Sequence, residues 1–468
     1  MGIGSRPTLD NAIERGRELG ESLGEGVQVR DIVVTALYKR AETIAAEVTS
    51  CTQGVGRDWD RKIDDILTSR LVGYPLMLIL LGFALWLTVT GANYPSNALA
   101  VLFSMLEDRL TAFFVGVGAP GWLHGILVLG TYRCLAWVVS VMLPPMAIFF
   151  PLFTLLEDLG YLPRIAFNLD SLFKRTGAHG KQALTMAMGF GCNAAGVMAA
   201  RIIDSPRERM IAILTNNFTP CNGRFPLLIA MSSLFLGLGV VGPGNMLATL
   251  AVIGMVLLGI AMTFLVSYIL SKTLLKGIST SFALELPPYR RPQVLQIIVR
   301  SIFDRTLFVL WRAVKVAAPA GALAWILGNM DIDGVNVISH VAGYLDPLAH
   351  TIGLDGFILL AFILGLPANE IVIPILLMSY LGSGALMELD SLSSMKALLV
   401  SRGWTWLTAL NVMVFSVLHF PCGTTLLTIH HETGGWKWTV VAALLTTATA
   451  MIVCFLITQV AHLSQLVL

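Results

Sequence analysis

The chain of 468 residues is 56% hydrophobic and only 13% charged, with a net charge of +2 at pH 7. Soluble globular proteins carry about 25% charged residues, so this composition excludes a soluble domain and predicts an all-α protein that crosses the membrane many times. The near-neutral balance gives no basis for nucleic-acid binding, and six scattered cysteines without a CxxC pair (Cys51, Cys134, Cys192, Cys221, Cys422, Cys454) argue against a zinc site or a disulfide framework.

Residues 1–70 are polar and charged, without an apolar signal-peptide core, and read as a cytoplasmic helical lead-in. Ile32, Leu37, Ile44 and Val48 fall near helical spacing among Asp31, Lys39, Arg40, Glu42 and Glu47. A second amphipathic stretch, Trp59 to Leu67, carries Arg57, Arg61, Lys62 and Arg70 up to the first span. No glycine-rich phosphate loop ending in Gly-Lys-Ser/Thr occurs, so no nucleotide site is expected.

Residues 71–179 read as N-terminal transmembrane helices. The first span is expected at 71–91. Glu107, Asp108 and Arg109 make 96–116 an expected interfacial helix. The apolar run 122–155 is expected to break at Pro144-Pro145. Arg164, Lys174, Arg175 and Lys181 then mark a cytoplasmic loop.

Residues 183–200 are short and rich in Gly, Ala and Met, which fits a re-entrant or half helix. A broken span at 208–238 and a plain span at 243–271 complete this section. Residues 276–353 combine a basic linker (Lys276, Pro287-Pro288, Arg290, Arg291, Arg300, Arg305), a span at 307–328 and an outer loop with Asp331, Asp333 and Asp346. The remaining section, 354–468, holds an apolar run at 354–384 broken at Gly365-Leu366-Pro367, another at 405–429, and a span at 438–460. About eight transmembrane helices result, with discontinuous helices in two repeats and a cytoplasmic N-terminus.

The repeat is the informative feature. Each half offers a short broken helix with Asn at the break, then a helix broken at Pro-Cys, then a plain span. In the first half these are Gly191-Cys192-Asn193, Pro220-Cys221-Asn222 and 243–271; in the second, Pro367-Ala368-Asn369-Glu370, Pro421-Cys422 and 438–460. Paired discontinuous helices are the sequence pointer to a midplane substrate site in a secondary transporter.

Around these breaks the chain supplies thiols (Cys192, Cys221, Cys422), amides (Asn193, Asn216, Asn217, Asn222, Asn369), the carboxylate Glu370, and His419. Thiol and oxygen donors together suit Fe(II), Mn(II) or Zn(II); a hard ion such as magnesium would call for carboxylates. The candidate metal-handling residues are Cys221, Cys422, Glu370, Cys192, Asn193, Asn222 and Asn369. The competing readings are structural: thiols as small buried hydrophobes, Glu370 as a cap on the half helix after it, and the asparagines as interhelical hydrogen-bond donors. Cys134 and Cys454, inside plain spans, read as structural. His430, His431 and Glu432 read as near-interfacial, Arg201, Arg207, Arg209, Asp204 and Glu208 as a solvated helix junction, and Arg224 as a partner for carbonyls freed at the break.

The strings Gly189-Phe190-Gly191-Cys192-Asn193-Ala194-Ala195-Gly196, Arg201-Ile202-Ile203-Asp204-Ser205-Pro206-Arg207-Glu208-Arg209 and Pro220-Cys221-Asn222-Gly223-Arg224-Phe225-Pro226 resemble the ferrous-iron transporter B (FeoB) family. Leu143-Pro144-Pro145, Leu286-Pro287-Pro288-Tyr289-Arg290, Pro367-Ala368-Asn369-Glu370-Ile371 and Glu432-Thr433-Gly434-Gly435-Trp436-Lys437-Trp438 are similar to it as well. The resemblance runs from about residue 58 to 460, and the family's two Gate regions correspond to about 180–275 and 355–460. It implies Fe(II) uptake into a bacterial cytoplasm through the inner membrane, with Fe(II) as the transported substrate. Family members usually begin with a GTP-binding domain; here residues 31–70 resemble the tail of its helical linker. Where relatives often carry further cysteines, this chain has Thr176, His179, Ala187 and Ala200. The expected partners are membrane lipids, a separate G-domain protein or small accessory protein acting in trans, and, as an open question, further copies of the chain. The alternatives are a nucleoside-type Gate transporter and a membrane scaffold that docks a separate G protein; an enzyme is not expected.

Overall fold

The computed structural model describes residues 29–48, 56–69, 71–236, 246–277, 289, 293–332, 335–387, 389 and 391–464. Cys51 and the linker residues Pro287, Pro288, Arg290 and Arg291 lie outside the described residues, as do the side chains of Arg57, Trp59 and Arg61. Two compact units are distinguished, one of residues 1–65 with 279–285 and one of 66–278 with 286–468. In the first, α1 (Val29–Val48) is a single helix whose described side chains, from Ala36 on, are exposed. The helix α2 (Gly56–Leu67) follows, with Ile63 and Ile66 exposed.

The second unit is helical apart from a two-residue antiparallel pairing of Asp331–Ile332 with Val335–Asn336. Among the described residues six helices are long and apolar enough to cross a membrane, or seven if a bent pair is counted as one span. The first is α3 (Gly73–Gly116). It runs unbroken through Pro95, so the interfacial helix expected at 96–116 is its continuation. Glu107, the reason for that expectation, is ion-paired with Arg133 of the next span, which removes much of the penalty for a carboxylate there.

That next span, α4 (Gly121–Asp158), is also continuous. It contains a π-helical stretch at Gly125–Tyr132 and passes Pro144, Pro145 and Pro151 without interruption. The break expected at Pro144-Pro145 does not occur; both prolines are buried, where packing against neighbouring helices tolerates the missing donors. The amphipathic helix α5 (Tyr161–Arg175) follows, and then the two short helices α6 (Gln182–Gly191) and α7 (Asn193–Ala199), broken at Cys192 as expected for a half-helix pair.

The expected span at 208–238 is a broken one, with α8 (Pro206–Thr215) and α9 (Phe225–Met231) separated by the Pro-Cys segment. Ser205 starts α8: its hydroxyl accepts from Glu208 N–H and Pro206 follows at the first turn. Plain spans α10 (Met246–Lys272) and α11 (Val294–Asn329) come next. The helices α12 (Val337–Thr351) and α13 (Gly356–Leu364) meet at 110°. Beyond the Gly365 break lie α14 (Val372–Leu381) and α15 (Leu392–Ser401). The second Pro-Cys segment divides α16 (Trp406–Leu418) from α17 (Gly423–Thr433), and α18 (Trp436–Leu463) is the last span.

Burial shows how these helices are layered. On α16 every residue from Asn411 to Leu418 is buried, whereas α3, α10 and α18 leave Leu78, Phe83, Leu250, Leu257, Leu444 and Phe455 outward. A helix that is apolar all round and exposed on one side belongs against lipid. The inward faces of the long helices are built from small residues. Ala313, Ala317, Gly321 and Ala324 line α11, and Ala442, Thr446, Ala450 and Cys454 line α18, a spacing that lets backbones approach closely. At Gly321 a β-carbon would stand 2.5 Å from Cys134 Cβ on α4. The broken helices are thus the core, and the unbroken ones its shell.

Candidate functional site

Four residues in extended conformation interrupt the core helices: Cys192 (φ −154°, ψ 124°), Cys221 (φ −80°, ψ 167°), Ala368 (φ −155°, ψ 130°) and Cys422 (φ −60°, ψ 157°). Each is followed at once by a new helical turn, beginning at Asn193, Asn222, Asn369 and Gly423. The prolines at 220, 367 and 421 stand one residue before three of these four, where a helix cannot pass without losing a donor. The sulfurs lie at the starts of the following turns. Cys192 faces the N–H groups of Ala194 and Ala195, Cys221 that of Gly223 and Cys422 that of Thr425, none closing a full cap hydrogen bond. Peptide dipoles there aim partial positive charge at the sulfur.

Within each half the paired breaks are joined. Asn216 Nδ2 donates to Asn193 O over 3.0 Å in the first, and Gly423 N donates to Leu366 O over 2.6 Å in the second. The halves are also joined to each other, break to break. The turn Asn222–Arg224 packs against Asn369–Ile371, where Asn369 Nδ2 lies 4.0 Å from Cys221 Sγ. Glu370 lies over Gly223, so closely that a methyl group on residue 223 would overlap its carboxylate. Asn217 Nδ2 donates to His419 O over 2.6 Å.

Arg224 locks this junction and is wholly buried. Its Nη1 donates to Asn217 O and Val417 O, each over 2.7 Å, and its Nη2 donates to Asn217 Oδ1 over 3.1 Å. One guanidinium thereby satisfies carbonyls freed at both Pro-Cys breaks, which suits its five donors in a rigid fork.

The candidate residues are brought together in part. Cys192, Cys221 and Cys422 lie within electrostatic reach of one another, as do Glu370, Cys221 and Cys422. Cys422 also contacts Thr425 Oγ1 at 3.3 Å. Cys192 and Cys221 are buried, while Cys422, Glu370 and Asn222 are half-buried. Among the described residues no three of the His, Cys, Asp and Glu side chains form a ready metal cage. Asn193 is turned towards Asn217, whose Oδ1 stands 3.2 Å from its amide.

His419 has a packing role. Its Nδ1 lies 3.0 Å and 2.9 Å from the carbonyls of Phe415 and Ser416, so that nitrogen carries the proton, and its ring is packed among Phe362, Phe415 and Phe420. Cys454 Sγ points at Asn411 O over 3.6 Å, a helix-to-helix contact outside the breaks. Sequence reasoning missed Gly223 as the seat of Glu370 and Thr425 as the neighbour of Cys422. The first depends on a pairing across 147 residues and leaves no local signal; the second lies three residues along a helix from Cys422, the ordinary spacing of facing side chains.

Away from the breaks the halves meet again. Arg201, just past α7, donates from Nε to Glu432 Oε2 over 2.7 Å and from Nη2 to Oε1 over 2.6 Å, near the end of α17. His431 Nδ1 is 3.9 Å from the same carboxylate. Lys181 pairs with Asp204 at 3.0 Å, and this holds the Asp204 carboxyl below the usual carboxylate range.

The family model Gate, described as nucleoside recognition, matches residues 139–235 and 310–436, and that for the ferrous iron transport protein B C terminus matches 252–304. The chain is 28% identical over 459 residues to the Fe(2+) transporter FeoB of Staphylococcus aureus (strain MSSA476), an alignment covering 94% of this chain and 65% of the relative. Similarity to the Methanocaldococcus jannaschii Fe(2+) transporter FeoB is 26% identity over 98% of this chain and 66% of that one. A Porphyromonas gingivalis (strain W83) Fe(2+) transport protein A/Fe(2+) transporter FeoB fusion protein is 28% identical over 85% of this chain and 51% of its own length. The chain thus spans about two thirds of the length of the first two relatives. No solved structure matches it. The Gate matches fall on the two sets of broken helices and the ferrous-iron match on α10 and the start of α11; the chain carries the membrane region of the ferrous-iron transporter B family.

Proposed function

We propose that this chain carries Fe(II) through a bacterial inner membrane towards the cytoplasm, by way of the four breaks. The observation that carries the reading is the seating of Glu370, from the second half, on Gly223 of the first, beside Cys221 and Asn369. A carboxylate, thiols and amides at one junction offer mixed soft and hard donors to a borderline ion. Cys221, Cys422 and Glu370 are the principal ligands, with Cys192, Asn222 and Asn369 in support and Asn193 on the flank. A pathway must bind strongly enough to admit the ion and weakly enough to release it. The absence of a ready cage among the described residues suits donors that hand the ion from one half to the other as the two Gate halves move. The naming of the Porphyromonas gingivalis relative as a fusion supports a small accessory protein as a partner in trans, and a G-domain protein is a second candidate.

Radioactive Fe(II) uptake by proteoliposomes holding this chain alone tests the reading. Cys221→Ser combined with Cys422→Ser is expected to lower uptake at least tenfold with the protein still folded, and unchanged uptake would overturn the thiol path. The Gate description as nucleoside recognition motivates one competing assay, in which nucleosides neither bind nor inhibit iron uptake. Against a nucleoside stands the aromatic packing at the second break, where Phe362, Phe415 and Phe420 are spent on one another and on His419.

A further inference from the structure

Asn193 stands among three acceptors that a single amide cannot satisfy. The orientation of Asn217 is fixed, because its Nδ2 donates to His419 O and its Oδ1 accepts from Arg224 Nη2. Asn193 therefore presents one end of its amide to Asn217 Oδ1 at 3.2 Å and the other to the carbonyls of Thr219 and Gly189 at 3.1 Å and 3.2 Å. With its nitrogen towards Asn217, its oxygen abuts two carbonyl oxygens. With the amide reversed, its oxygen abuts Asn217 Oδ1. Either way, oxygens meet with no proton between them.

The neighbouring Asn216 adds a fourth oxygen. Its Nδ2 is committed to Asn193 O, and its Oδ1 is buried with no hydrogen-bond donor. Gly189 lets these groups approach. A β-carbon on it would stand 3.0 Å from Asn216 Oδ1, 3.3 Å from Asn216 Nδ2 and 3.4 Å from Asn193 Oδ1, so the absence of a side chain allows both amide oxygens to lie close against the end of α6. The backbone contributes carbonyls with the right polarity. Gly189 lies in the last turn of α6 and Thr219 just beyond the turn Asn216–Phe218 that ends α8, where the peptide dipoles present negative charge. Unwound carbonyls and half-helix C-terminal ends are where membrane transporters coordinate alkali cations.

We propose that Gly189 O, Thr219 O, Asn193 Oδ1 and Asn216 Oδ1 form a sodium-ion site inside the first Gate half, distinct from the thiols. The donors are all hard, neutral oxygens, which favours an alkali cation over a transition metal. No carboxylate joins them, and Arg224 bonds the far side of Asn217, so a dipositive ion would keep its charge uncompensated at lipid depth. Sodium at this position joins the end of α6 to the start of α7 and so fixes the break that carries Cys192.

The site stands or falls without iron, and its test is run on the purified full chain in chelator. Bound radioactive sodium and the thermal unfolding midpoint are measured against sodium, with choline holding ionic strength constant. The expected result is saturable sodium binding and a sodium-specific rise in the midpoint. Gly189→Ala, which crowds both amide oxygens by a few tenths of an ångström, and Asn216→Ala, which removes an oxygen, each lower sodium affinity at least tenfold. Absence of saturable binding by the unaltered chain, or an equal response to choline, overturns the proposal even if a variant fails to fold. Sodium binding unchanged in folded Gly189→Ala overturns it as well.

Discussion

Glu370 is held above Gly223, a residue of the opposite half, with no room for a β-carbon between them. The glycine lies in the turn Asn222–Arg224, directly after the extended Cys221, so the carboxylate and the thiol approach the same point from two chains of contact. Gly223→Ala is expected to push the carboxylate aside without changing any donor atom. Iron uptake in proteoliposomes should fall by about the same factor as in Glu370→Gln, and wild-type uptake by Gly223→Ala would show that the seating is unimportant.

Arg224 is a buried charge that donates twice to Asn217 in its own half and once across the junction to Val417 O. Arg224→Met keeps much of the volume but orphans the carbonyls of Asn217 and Val417. Each unsatisfied buried acceptor costs about 1–3 kcal/mol, with the lower end expected in a membrane, where the unfolded reference also finds partners. The expected outcome is a clear fall in the thermal midpoint in detergent. Arg224→Lys should recover only part of the loss, since one ammonium cannot reproduce the planar fork.

Two other thiols serve as the contrast. Cys134 packs against Gly321 of α11, and Cys454 contacts Asn411 O on α16. Both are buried away from the breaks. Cys134→Ala and Cys454→Ala remove one sulfur each and are expected to lower stability by roughly 1 kcal/mol while leaving uptake within twofold of wild type. A tenfold loss of transport in either would mean that thiol chemistry extends along the spans.

Much of this organisation is legible in the chain, for a physical reason. A proline in an apolar run removes a donor wherever it stands, so Pro220, Pro367 and Pro421 mark three of the four breaks by themselves, and Cys192 between Gly191 and Asn193 marks the other. The same rule misleads at Pro144-Pro145, where packing tolerates the lost donors and α4 continues unbroken. The cost of a charge at membrane depth misleads likewise at Glu107, because the neutralising Arg133 is 26 residues away and cannot be paired with it from spacing alone. What the sequence conceals is which break meets which. Reading within each half pairs Cys221 with Asn193, whereas the folded chain adds Asn369 and Glu370 to Cys221 and joins Asn217 to His419 across 202 residues.

His179, in the loop between α5 and α6 and outside the candidate spans, provides a pH-dependent expectation. It is buried, and its Nδ1 accepts from Lys181 N–H over 3.0 Å. Burial lowers its pKa; Glu208, Asp170 and Asp204 oppose the shift and Lys181 adds to it. The unfolded chain therefore binds a proton that the folded chain resists, so stability is full above the unfolded value of about 6.5 and declines as pH falls below it. Thermal unfolding followed from about pH 7 down to about pH 5 should show this slope. His179→Gln should flatten it, and an unchanged slope would place the titrating group elsewhere.

Arg201 and Glu432 join the end of α7 to the end of α17 through two parallel hydrogen bonds, so the pair ties one Gate half to the other away from the breaks. The Arg201 side chain is 62% exposed and that of Glu432 9%, which places the pair between a screened surface bridge and a buried one. A double-mutant cycle with Arg201→Gln and Glu432→Gln is expected to return a coupling of about 0.2–1 kcal/mol in stability, shrinking as salt is raised. Transport is the sharper readout. If alternating access requires these ends to part, either single variant changes the uptake rate, and the exchange Arg201→Glu with Glu432→Arg moves it back towards wild type. Failure of the exchange to restore the rate, with stability recovered, would separate the clasp from the transport cycle and leave it as a fastening of the fold alone.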